Sequence, residues 1–125
     1  MYSELAISSL VMLGLDATYI SLIKEPYLQQ IENIQTTKPN VKMLGVLLSY
    51  AFLIFGINYF ILQKKASLID AFLFGIVIYG VYDATAYALF TKWSTNLAII
   101  DTLWGGILMM ITAYLTYTLS GLFYR

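Results

Sequence analysis

Apolar residues gather into four long runs along the chain: 5–23, 43–62, 68–90 and 96–123. Polar residues concentrate in the short stretches between them. The hydrocarbon core of a bilayer needs about 20 helical residues, and each run approaches or exceeds that length. None alternates with the period of two that a barrel strand requires. The pattern predicts four transmembrane helices, an all-α integral membrane four-helix bundle forming one domain over residues 1–125. The fourth run is the longest and is expected to tilt or to project beyond the bilayer. The first has no basic leader and no small-residue cleavage site after it, so it reads as a retained helix.

The connections predict the topology. Residues 63–67 and 91–95 are short enough for tight hairpins, which makes helices two, three and four antiparallel neighbours. The first connection, 24–42, is the longest. Pro26 suits the first turn of a short helix there, with Tyr27, Ile31 and Ile34 on one face resting on the membrane surface. An ordered loop is the other reading. Four spans put both termini on one side. Lys24, Lys38, Lys42 and Lys92 lie on the loop-one and loop-three side, and Lys64, Lys65 and Arg125 lie opposite. Four charges against three do not fix the orientation by the positive-inside rule.

Composition sharpens this picture. Sixty per cent of the residues are hydrophobic and 11% are charged, a balance that lipid tolerates and a small water-soluble domain does not. Seven basic and seven acidic side chains cancel, so no net field favours nucleic acid. The absence of cysteine and histidine removes disulfides, thiolate chemistry and His-based nucleophilic catalysis, and makes zinc sites and cofactor ligation unexpected. Membrane lipid is the expected surrounding partner.

Three aspartates interrupt the runs. Asp16, Asp83 and Asp101 each cost about 2.5–3.5 kcal/mol at a membrane centre on insertion scales. Counted from the loop-one and loop-three side at the helical rise, all three lie about 8–11 Å deep. No lysine or arginine lies inside the runs to neutralise them. The expectation is an aspartate layer in which at least one carboxyl holds a proton or shares a monovalent cation. Tyr79 and Tyr87 stand four residues either side of Asp83. Trp104 and Gly105 follow Asp101 by three and four, Thr102 adjoins it, and helix two offers Ser49 and Tyr50 at the same level. The candidate ion- or ligand-binding set is therefore Asp16, Asp83, Asp101, Tyr79, Tyr87, Thr102 and Trp104. The plainer reading is that these acids are hydrogen-bonded across helices only to fix packing. Asp70 differs, because Ser67-Leu-Ile-Asp70 reads as a helix-capping box. Trp93 reads as an interfacial anchor.

Small residues recur every four positions as Gly80, Ala84 and Ala88, as Ala98, Thr102 and Gly106, and as Gly45 and Ser49. Such stripes let helices approach closely, within the bundle or between copies in a homo-oligomer.

Three segments also carry a resemblance: Gly14-Leu-Asp-Ala-Thr-Tyr19, Tyr79-Gly-Val-Tyr-Asp-Ala-Thr-Ala-Tyr87 through Lys92-Trp93, and Asp101-Thr-Leu-Trp-Gly105. In combination they resemble the motifs of a family of small four-helix predicted membrane proteins, domain of unknown function 2177, over nearly the whole chain. Tyr19 stands where that family usually has tryptophan, and Ala86 where it commonly has asparagine. The resemblance implies four helices and the aspartate layer, and no activity. Three functions are weighed: proton or cation handling, an enzyme using paired carboxylates on lipid or peptide, and a lipid-binding or scaffolding module. Tyr82-Asp83 faintly matches the first motif of intramembrane aspartyl proteases, whose Gly-x-Gly-Asp partner is absent. Four helices of this length are expected to pack around a nearly solid centre, with at most a shallow pocket on the loop-three side.

Overall fold

The computed structural model describes residues 2–124, with side chains from 3 to 121. Its helices are α1 (Tyr2–Gln35), α2 (Met43–Gly56), α3 (Leu68–Leu89) and α4 (Thr95–Tyr124), and a π-helical segment (Ile57–Leu62) continues α2. Among the described residues there is no strand, and all four helices are long and apolar enough to cross a membrane.

The hairpin of α3 and α4 is the most closely packed unit, and three glycines set its approach. A Cβ at Gly75 would collide with the Gly105 carbonyl and stand 2.8 Å from the Gly106 Cα. One at Gly105 would enter the Tyr79 ring, and one at Gly106 would come within 2.7 Å of Phe72. Without water to expel, helices in lipid associate through such close packing. Of the small-residue stripes Gly106 belongs to this closest contact, and a Cβ at Gly80 would meet Thr102 at 3.4 Å. Gly80, Ala84, Ala98 and Thr102 also line an outer groove between the same helices, and Gly45 has open space around it.

Ser67 Oγ accepts from the Asp70 amide at 3.1 Å, so the expected cap starts α3. At the other hairpin end Ser94 Oγ accepts from the Leu97 amide at 3.2 Å.

Two expectations about the first half of the chain are corrected. α1 does not end near Ile23; it runs unbroken through Pro26 to Gln35, where Thr36 adopts φ 63°. Proline removes one helical hydrogen bond, that to the Leu22 carbonyl. The continuation is held by tertiary contacts instead. Gln30 Oε1 accepts from the Ser94 amide, and Lys92 Nζ donates to the Asn33 carbonyl at 3.2 Å. The face bearing Tyr27 and Ile31 is accordingly turned inward and not onto the membrane surface: Tyr27 meets Trp93 edge-on at 5.8 Å, and Ile31 faces an internal cavity.

The second correction concerns α2. α3 and α4 are neighbours as expected, and α1 packs on α4, but α2 joins the bundle through its π-helical end. Asn58 explains why. Its amide donates to Ser8 Oγ at 3.0 Å and to the Ile54 carbonyl at 2.8 Å, since a buried amide in lipid must find partners. Around this fastening sits the apolar core, with Met12, Ile57, Ile61, Leu108, Met109 and Ala113. Tyr117 closes that end, donating to the Ala66 carbonyl at 2.8 Å and sharing the Ile61 carbonyl at 3.2 Å. Towards loop three, α2 stands away from α3 and its Leu44, Leu47 and Phe52 are exposed.

Candidate functional site

The three aspartates come together from α1, α3 and α4, each less than a tenth exposed. They do not form one cluster. Asp16 is fully bonded: Trp104 Nε1 donates to its Oδ1 at 2.9 Å, and the Tyr50 hydroxyl donates to its Oδ2. Asp101 Oδ1 accepts from the Tyr19 hydroxyl at 3.0 Å. The Tyr19 ring stacks on Trp104, with centroids 4.7 Å apart and planes within 6°. Tyr19 and Trp104 thus cross, each donating to the aspartate of the other's helix. The depth of Asp16 cannot be counted from the end of α1, which continues far past the level of Ile23.

Asp83 is the exception. It is 1% exposed, and among the described residues neither carboxyl oxygen has a hydrogen-bond partner. Asp101, Trp93 and Thr102 face it, none in hydrogen-bonding geometry, and the Trp93 indole N–H is itself unpaired. Trp93 is not the interfacial anchor expected of it. It is 6% exposed, boxed by Tyr27, Tyr82 and Phe90 at 5.8–6.1 Å, and roofed by the continuation of α1. A 2.8 Å contact between the Tyr27 and Tyr82 hydroxyls ties that roof to α3.

The centre is not solid. A cavity of about 790 Å³ lies between α1, α2 and α3, with Asp16, Asp101, Tyr19, Tyr79 and Tyr82 in its wall and Lys24 among its lining residues. Its existence follows from the separation of α2 from α3, which the tight second turn did not predict. A second space of about 410 Å³ is the outer groove of α3 and α4, lined by Asp83, Thr102, Tyr87 and Thr95. The expected residues are thus distributed: Asp16, Asp101 and Tyr79 at the cavity, Asp83, Thr102 and Tyr87 at the groove, and Trp104 bonded to Asp16. Tyr87 is 54% exposed and makes no hydrogen bond to Asp83. Ser49 lines the cavity, while Lys92 is engaged by Asn33.

Tyr19, Tyr50 and Trp93 act on the aspartates or flank them without belonging to the expected set. Tyr50 carried a signal in its level on helix two. Tyr19 carried one in its spacing, three residues after Asp16. Among the described residues no three acidic side chains converge as a metal ion would need.

Four membrane-crossing helices with buried carboxyls between them define a multi-pass integral membrane protein. The match to a family model carries this further. Residues 2–118 match the predicted membrane protein family DUF2177, and the chain belongs to that family. No curated protein and no solved structure matches it.

Proposed function

We propose that Asp83 and Asp101 exchange a proton inside the membrane, so that the protein handles protons across the bundle. The observation that carries this reading is the bare carboxyl of Asp83 facing Asp101. An ionised carboxylate without a protein hydrogen-bond partner is disfavoured in an apolar interior, and two facing each other are worse. A proton held by the pair relieves both costs. Intramembrane acids facing a bundle interior are the usual components of proton relays. Here Asp101 borders the cavity and Asp83 the groove, so a proton passing between them moves from one space to the other. Tyr19 orients Asp101, and Thr102 is within reach of Asp83. A cation shared by all three acids is less well supported, because Asp16 has its own donors and the three do not converge.

The test is proton flux into liposomes carrying a trapped pH-sensitive dye. Wild type is expected to exceed empty liposomes, and Asp83→Asn and Asp101→Asn, which keep shape and remove the exchangeable proton, are expected to fall to the empty-liposome rate. In parallel, the infrared carbonyl stretch of a protonated carboxyl should be present in wild type and lost in Asp83→Asn. Folded Asn variants with wild-type flux would leave the aspartates a purely structural role.

A second proposal is self-association. It is favoured by the start of α2, where Leu44 and Leu47 are exposed beside Gly45 and nothing lies within 4 Å of a Cβ added at the glycine. A protein that is monomeric both in mild detergent and in nanodiscs would exclude it.

A further inference from the structure

The cavity between α1, α2 and α3 has a composition that restricts what it can hold. Its wall is mostly aliphatic and aromatic, including Ile20, Val46, Phe52, Leu53 and Ile78, with Asp16 and Asp101 at its inner end. At about 790 Å³ it lies within the size range of small-molecule sites. Tyr19, Tyr27, Tyr79 and Tyr82 line it as well, and tyrosine rings attract cations through their electron-rich faces. Asp16 accepts from both Tyr50 and Trp104. Both donors are neutral and bring no positive charge to it, and no basic residue lies within the hydrophobic runs. Lys24, the one basic side chain in the lining, stands two helical turns from Asp16 along α1, about 12 Å away.

We propose that this cavity binds a lipophilic organic cation, a molecule with one positive charge on an apolar body, entering from the bilayer between α2 and α3. The charge would rest near Asp16 and Asp101, and the body against the aliphatic wall. Charge complementarity selects the sign. Among the described residues no three acidic side chains converge, which argues against an inorganic ion, and the apolar wall argues against a small hydrophilic amine. Entry from the side follows from the separation of α2 from α3, which narrows only at the π-helical segment. The site is separate from the proton pair in one respect: Asp16 borders this cavity and takes no part in the pairing of Asp83 with Asp101.

The experiment is saturable binding to the full chain in nanodiscs, corrected for empty nanodiscs, with two probes of the same shape and opposite charge: tetraphenylphosphonium and tetraphenylborate. The phosphonium is expected to bind saturably and the borate not. Asp16→Asn, which keeps the side chain's size and removes its charge, with the Tyr50 hydroxyl free to turn and accept from the amide, is expected to weaken phosphonium binding about tenfold or more. Ser49→Trp, which fills the cavity from α2 and leaves both acids in place, is expected to weaken it at least as much. Absence of saturable phosphonium binding overturns the proposal. So does equal binding of the borate, or wild-type affinity in both folded variants. Because binding is read at Asp16 and Ser49 and proton flux at Asp83, failure of one reading is distinguishable from failure of the other.

Discussion

At the scale of single residues, Asp16 and Asp83 are chemically the same side chain in opposite circumstances. Asp16 has an indole and a phenol bonded to its two oxygens; Asp83 has nothing bonded to either. Removing one donor from Asp16, by Tyr50→Phe or Trp104→Phe, strands a buried charged acceptor. Each change is expected to cost about 1.5–3 kcal/mol, the range for hydrogen bonds to charged groups. Reversible unfolding in mixed micelles measures this, and a loss indistinguishable from zero in both variants would show that the bonds are replaced by water. Asp70 sits at the exposed start of α3, where its amide, not its carboxyl, makes the capping bond. Asp70→Asn should therefore be nearly silent in the same assay, whereas Ser67→Ala should lose about 0.5–2 kcal/mol.

Among the helices, the α3–α4 contact depends on absent side chains. Gly75→Ala forces a methyl group onto the Gly105 backbone, which cannot yield as a flexible side chain would. Overpacking of this kind costs about 1–3 kcal/mol. Gly45→Ala and Gly14→Ala, with nothing within 4 Å of the added carbon, should leave stability unchanged or slightly raised. Equal losses at Gly75 and Gly45, read by the same unfolding assay, would contradict the packing described. The hydropathy pattern made the four spans legible because lipid imposes a minimum length on every crossing. It made the aspartates legible because each is costly enough to need a reason. It could not reveal Gly75 and Gly105 as the tightest contact, since close approach depends on which faces meet, and that is decided by residues far apart in the chain. Pro26 misdirected the reading of α1 because the bond it deletes is local, whereas the Gln30, Asn33 and Tyr27 contacts that keep the helix continuous are with loop three and α3. Asn58 had the same weakness as a signal: its partner Ser8 is on another helix.

For the molecule as a whole, contacts at both ends hold the helices together, and the opening between α2 and α3 lies towards loop three. Tyr117 and Asn58 hold the loop-two end, and the continuation of α1 holds the loop-three end. α1 has 34 residues, a length of about 51 Å, against a hydrocarbon core of about 30 Å. Its last turns therefore extend past the core. A cysteine at Asn33 should react with a membrane-impermeant maleimide from the same side as one at Lys38, and from the side opposite to one at Lys64. Labelling of Asn33 and Lys64 from one face would refute the four-span topology. The contact between Asp16 and Trp104 joins residues 88 positions apart, and this has a consequence for synthesis. α1 emerges from the ribosome first, but α4, the helix on which it packs and which carries Trp104, emerges last. Throughout that interval Asp16 lies in an apolar segment without its indole donor. A nascent chain truncated after loop three should therefore remain extractable or associated with the insertion machinery, and integrate stably only when α4 is added.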